Sequence, residues 1–194
     1  MEFQAFRELV RESRSRRRFD ENVRMSEEQL RELVDLARLC PSTGNRQVHK
    51  FKLVTEREDC AKVFAQLGWA AALKDWPGPS EGERPAAYIL ILCDQTLAKE
   101  LPMDDGIMAQ TMLLGATAMG FGGCMFGSVK REALAEALGI DSTRYHIAHV
   151  LALGKPIEQV VITDVGPEGN TNYYRDAAGV HYVPKRSLAE LIVV

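Results

Sequence analysis

Arg14, Ser15 and Arg17 place two guanidinium groups and a hydroxyl within four residues, inside the stretch "RESRSRRRFDENV" at 11–23. Between residues 11 and 18, five arginines are answered by a single acid, Glu12. A guanidinium fork matches the paired oxygens of a phosphate, and a hydroxyl can serve a further oxygen. The chemistry on offer is therefore the binding of an oxyanion. On the residues alone, a solvated basic face, or docking to an acidic protein or nucleic acid, stays open beside it.

Other constellations fall away. His146 and His149 sit in an expected strand, where positions three apart face opposite sides. His49 and His181 have no neighbouring ligand at zinc spacing, so no metal site is expected. No G-x-S-x-G elbow occurs. The cluster "GFGGC" at 120–124 follows a helix instead of a strand and lacks the third spaced glycine of a dinucleotide turn. Asp104 and Asp105 precede a helix, where they read as caps complementing its dipole. Cysteines 40, 60, 93 and 124 form no CxxC pair, as expected of reduced, buried thiols in a cytoplasmic protein. A net charge of −3 gives no support to general nucleic-acid binding. The amphipathic start "MEFQAFRELV" is unlike a signal peptide.

The elements that must position these residues follow from apolar spacing. A helix is expected over 2–13, and a second runs from a capping box at Ser26–Gln29 to Cys40, where Pro41 stops it. "FKLVT" (51–55) reads as a strand and Glu58–Leu67 as a helix. Residues 73–85 form a long loop, and with Trp69 and Trp76 they offer either a lid or packing. "AAYILILCD" (86–94) and "YHIAHVLALG" (145–154) have the continuous apolar character of buried strands. A helix is expected over 104–119 and another over 129–140, capped by Ser128, with a loop-rich tail from Lys155. The uncharged run 107–127 is long enough to span a bilayer. Its Gln110, Thr111, Thr117 and five glycines, with no basic flank, suit a helix buried in a soluble core instead. One mixed layer of helices and strands, undivided over 1–194, is the coarse expectation.

Taken in order, "SRSRRRFD", "PSTGNRQ", "DDGIMAQTMLLGATAMGFGGCMFGS" and "VPKRSLAELI" resemble the nitroreductase family of FMN-dependent oxidoreductases over nearly the whole chain. The resemblance implies an α+β fold, a central mixed β-sheet surrounded by helices, in an intertwined homodimer with flavin sites at the interface. It implies that Ser13, Arg14 and Ser15 hold the FMN phosphate and ribityl chain, with Lys185 and Arg186 as further basic contacts. Arg17 matches the basic residue near flavin N1, and Met125, Phe126 and Gly127 match the loop whose backbone faces N5. Pro41, Ser42, Asn45 and Gln47 match the segment reaching the flavin from the other subunit. Ser13 stands where the family often has arginine, and Val48–His49 where it usually has Pro-Trp.

The implied activity is hydride transfer from NADH or NADPH, through flavin N5, to a small electron-poor acceptor such as a nitroaromatic or quinone, in ping-pong fashion. No catalytic side chain beyond those tuning the flavin is implied. A dehalogenase-type or flavin-breakdown enzyme, or a flavin-storage protein on the same fold, is the alternative. Cys124, beside the N5 loop, is expected to be a structural thiol.

Overall fold

The computed structural model describes residues 1–98 and 103–193. Residues 99–102 and Val194, the last residue of the tail read above, lie outside it. Helix α1 spans Phe3–Glu12, and the short strand β1 is Phe19–Asp20. Helix α2 is Glu27–Arg38, opened by the expected capping box: Ser26 Oγ accepts from Gln29 N while Gln29 Oε1 accepts from Ser26 N. A 3-10 turn at Thr43–Asn45 leads to β2 (His49–Val54), and α3 covers Arg57–Phe64. After the loop come β3 (Ala87–Asp94), α4 (Asp104–Ala118), β4 (Gly122–Phe126), α5 (Arg131–Ala137) and β5 (Tyr145–Pro156). The tail carries β6 (Val160–Asp164), β7 (Tyr174–Arg175), β8 (His181–Lys185) and α6 (Leu188–Leu191).

The large sheet has the order β1-β5-β3-β2, with β4 also paired to β5. Its ladders are antiparallel. The expected mixed character lies in a parallel bridge from Ser15 to Gly123 and in the parallel β6–β8 ladder of a second, three-stranded sheet. Every residue of β3 is buried, because apolar layers cover both of its faces. Leu30 and Leu33 of α2 and Met108 and Met112 of α4 pack on Ile89, Ile91 and Leu151. On the other face, Val63 of α3 and Leu134 of α5 pack on Tyr88, Leu90 and Val150. Each such buried side chain stabilises by about 1.5–3 kcal/mol. Helices α2 and α4 meet closely at Gly115, where an added Cβ would lie 2.5 Å from Leu36 Cδ1.

Several expectations are corrected. The uncharged run 107–127 is helical only to Ala118; Gly120, at φ +78, turns the chain and β4 follows. Among the described residues, no helix is long and apolar enough to cross a membrane. Helix α5 starts at Arg131, with Lys130 and not Ser128 as its N-cap. Residues 128–130 are held extended, since Ser128 O accepts from Gly68 N and Lys130 N donates to Gln66 O. For the same reason α3 ends before Leu67, which bridges to Val129. The tail, expected to be loop-rich, forms β6–β8 and a final helical turn capped reciprocally by Ser187 and Glu190.

Candidate functional site

Helix α1 ends when Ser13 leaves helical geometry, its N–H still donating to Leu9 O. The chain then runs extended beside β4: Ser15 bridges Gly123, and Arg16 N donates to Gly123 O at 2.9 Å. Extension turns successive arginines to different surroundings. Arg18 forms a two-point ion pair with Glu83, its Nε 2.8 Å from Oε2. Arg16 donates to the carbonyls of Glu158, at 2.8 Å, and Glu12. Arg14 and Arg17 form no ion pair among the described residues. Arg14 reaches back with Nη2 to Val10 O at 2.9 Å, while its buried Nε has no partner. Burial lowers its pKa from the ordinary value, though a guanidinium stays charged. Arg17 lays its guanidinium over the Tyr173 ring, 4.9 Å from the centroid.

One acid unmarked by any local sequence signal anchors this segment. Glu158, just past β5, is buried, and its carboxylate accepts from the backbone N–H groups of Arg17 and Arg18 and from Arg175 Nη2 at 3.2 Å. Its charge is thus compensated locally, and the carboxylate ties β7 to the arginine segment.

Strand β4 supplies the second part. Alternate residues of a strand turn their peptide groups to opposite sides. Gly123 turns its carbonyl outward, away from β5, to meet Arg16 N, so Met125 presents its N–H and C=O on that outer side. Phe126 is buried beneath Trp69, with ring centroids 4.7 Å apart. Both tryptophans pack: Trp69 also meets Phe64, and Trp76 lies under Arg175 at 4.7 Å. Packing is therefore the half of the lid-or-packing alternative that the contacts display. Cys124 is buried, and burial raises its thiol pKa; it carries none of the low-pKa character of a reactive thiol.

Gly127 lies beside His149, whose Nδ1–H donates to Asp105 Oδ2 at 2.7 Å. Two readings are corrected here. Ala148 is an extra residue in β5: Ile91 pairs with His149, and Leu92 with Ile147. The bulge puts His146 and His149 on the same face, contrary to simple alternation. Among the described residues, no three His, Cys, Asp or Glu side chains are placed to hold a metal ion. Asp104 and Asp105 do more than complement a helix end, since the N-cap is Met103. Asp104 accepts from both Thr43 N, at 2.8 Å, and Thr43 Oγ1, at 2.6 Å. Burial would raise its pKa, but these bonds with His49 and Arg46 hold it below the ordinary value.

That tether fixes the segment 41–47 on the start of α4. Gln47 Nε2 donates to Asn45 Oδ1 at 3.1 Å, and both residues adopt positive φ (49° and 52°). Pro41, Asn45 and Gln47 are exposed and Ser42 is half-buried. Within one protomer Ser13–Arg17 and Gly123–Gly127 come together; Thr43 reaches that neighbourhood only through Asp104, Asp105 and His149. Lys185 ends β8, and Arg186 pairs with Glu190 at 3.4 Å. Among the described residues, no hydrogen bond joins the Lys185 or Arg186 side chain to the arginine segment. Four residues back along β8, His181 is buried against Tyr173, which covers Arg17.

The donors suit a phosphate-bearing cofactor: an unpartnered buried nitrogen of Arg14 and a guanidinium of Arg17 outside any ion pair, on a segment bridged to the outer edge of β4 where the Met125 amide points. A family model described as "Nitroreductase family" matches residues 10–155. A curated Bacillus subtilis protein named as a candidate NAD(P)H nitroreductase is 24% identical over 187 residues, covering 79% of this chain and 90% of its own. A solved structure of a candidate nitroreductase in complex with FMN from Exiguobacterium sibiricum has a TM-score of 0.62 at 23% identity, covering 79% of this chain and 89% of that one. A nitroreductase family protein from Clostridium difficile covers 100% of this chain and 98% of its own, with a TM-score of 0.67 at 18% identity. At these identities the solved structures establish likeness of fold.

Proposed function

The chain belongs to the nitroreductase family, and from that premise we propose that it is an FMN-dependent oxidoreductase passing hydride from NADH or NADPH to an electron-poor small molecule by ping-pong turnover. One observation carries the reading for this chain: the buried Nε of Arg14 has no partner, on the segment that runs along the outer edge of β4. When bound, FMN supplies a ring that takes up hydride at N5 and passes it on. Arg14, Ser13 and Ser15 hold its phosphate and ribityl chain, with Lys185 and Arg186 adding positive charge. Arg17 balances negative charge at the pyrimidine edge. The backbone of Met125, Phe126 and Gly127 offers the donor that orients the ring.

Pro41, Ser42, Asn45 and Gln47 serve the site of a partner subunit, so the working unit is a homodimer of 1–194 chains, each a single FMN-binding unit. Exposed Phe3, Phe6, Leu36, Leu39 and Ile107 supply apolar surface for that association. Four free cysteines suit a reducing, cytoplasmic setting.

The test is an absorbance spectrum of protein purified with added FMN, followed by anaerobic addition of NADH or NADPH. Retained flavin whose absorbance bleaches supports the reading. Retained flavin that neither nucleotide bleaches points to storage, and protein that takes up no FMN overturns the assignment.

A further inference from the structure

On the α3 side of the large sheet, away from the proposed flavin edge, three arginines enclose a small cavity. Arg24 follows β1, Arg57 opens α3, and Arg84 ends the loop before β3. The cavity is partly open to solvent and its inner space is about 50 Å³, too small for a whole nucleotide and of the order needed for one small ion or a water or two.

Two buried polar atoms at this cavity have no partner in the protein. Tyr88 lies on β3 with none of its surface exposed, and its hydroxyl meets no hydrogen-bond partner. Arg84 Nε is likewise buried and unpartnered, while its guanidinium lies over the Phe64 ring, 4.6 Å from the centroid. A buried, unsatisfied polar group costs about 1–3 kcal/mol, so two at one cavity call for an occupant. The lining charges select its sign. Arg24, Arg57 and Arg84 form no ion pair among the described residues. The single acid of the lining, Glu21, is engaged by Gly82 N at 2.6 Å. Arg24 also donates to Thr55 O, and the Cys60 thiol contacts the carbonyls of Val54 and Ala86.

We propose that this cavity binds a phosphate-type oxyanion, held by the guanidinium groups of Arg24, Arg57 and Arg84 and the hydroxyl of Tyr88. Three positive groups against one engaged carboxylate match a dianion; guanidinium forks only donate and the phenol O–H can donate as well, which suits an ion made of acceptors. A bound ion ties the β1 turn, α3 and the end of the 73–85 loop together. It thereby fixes the chain beside Glu83, the partner of Arg18. The site shares no residue with the proposed flavin site, so it stands or falls separately.

The experiment is calorimetric titration of FMN-saturated protein, in a chloride buffer of constant ionic strength, with inorganic phosphate and then with glycerol phosphate. Saturation with FMN keeps added phosphate from the flavin site. The expected result is saturable binding of one phosphate per chain, lost in Arg57→Gln and weakened about tenfold or more in Tyr88→Phe, with flavin content unchanged in both. At a tenfold excess over the dissociation constant, phosphate should raise the melting temperature by about 3–6 °C. Equal binding of glycerol phosphate identifies the ligand as the phosphate arm of a larger molecule, and binding of inorganic phosphate alone identifies the free ion. Either supports the site. No saturable heat, or phosphate binding that survives both substitutions unchanged, overturns it and leaves the orphaned atoms to water.

Discussion

Arg14 and Arg17 differ from the arginines around them in what they lack. Arg18 is spent on Glu83 and Arg16 on backbone carbonyls, so truncating either should first disturb the fold. Arg17 forms no ion pair among the described residues; it lies over an aromatic ring, meets the Ser15 carbonyl at 3.5 Å and reaches the Cys124 thiol, leaving its charge uncompensated by any carboxylate. Charge-assisted hydrogen bonds contribute about 1.5–3 kcal/mol, so Arg17→Ala should weaken FMN binding about ten- to a hundredfold, measured by fluorescence titration. Thermal stability of the flavin-free protein should stay nearly constant. Undiminished FMN affinity would remove Arg17 from the site. Lys185→Ala allows a sharper comparison, because riboflavin lacks the phosphate. FMN affinity should fall while riboflavin affinity holds, and equal losses for the two ligands would deny Lys185 a phosphate role.

At the scale of elements, the site depends on how closely the 13–17 segment and β5 approach β4; Gly122 faces Arg16 of the segment, and Gly123 sets the approach of β5 and α4. A Cβ there would lie 2.5 Å from the Ala152 carbonyl oxygen and 2.8 Å from side-chain atoms of Leu113 and Leu153. Backbone cannot yield as a side-chain tip can. Gly123→Ala should therefore cost about 1–3 kcal/mol in urea unfolding. It should also weaken FMN binding, since β4 can relieve the clash only by shifting its outer edge; stability lost with affinity intact would separate that edge from the site. Such short elements are also where sequence reading stops. Helices α2 and α4 and strands β3 and β5 were legible, because long apolar patterns and a capping box declare themselves. β4 was hidden in an uncharged run that began as a helix, and β1, with two residues, exists only through β5. The segments 13–17, 41–47 and 125–127 were legible as motifs. Glu158, Tyr173 and the Asp105–His149 contact were not, since each gains its role from a partner at least 44 residues away. The β-bulge at Ala148 misled simple alternation for the same reason: it is set by the neighbouring strand.

At the scale of the molecule, carboxylates pinned by neighbours determine how the fold responds to acid. Asp94 closes β3, buried, where Arg144 and the hydroxyl and amide of Thr96 hold its pKa far below the ordinary carboxylate range. Asp104, at the start of α4, is held low by Thr43 against the opposing effect of burial. A carboxylate whose folded pKa is depressed binds protons more readily when unfolded. Its stabilisation is complete above the unfolded value, about 3.9, and is lost as pH falls from there toward the folded value. Both residues should therefore steepen the acid limb, and in the same sense. Asp94→Asn should lower stability at neutral pH and lose less than the parent between about pH 5 and pH 2, so that the two unfolding curves converge as acid is added. Chemical denaturation at a series of pH values reads this directly. A constant gap between the curves would mean that Asp94 acts through shape alone, with its charge irrelevant to the β3–β5 junction. Convergence would identify the Asp94–Arg144 pair as the electrostatic clasp on the central strands against which α4 and the proposed site are built.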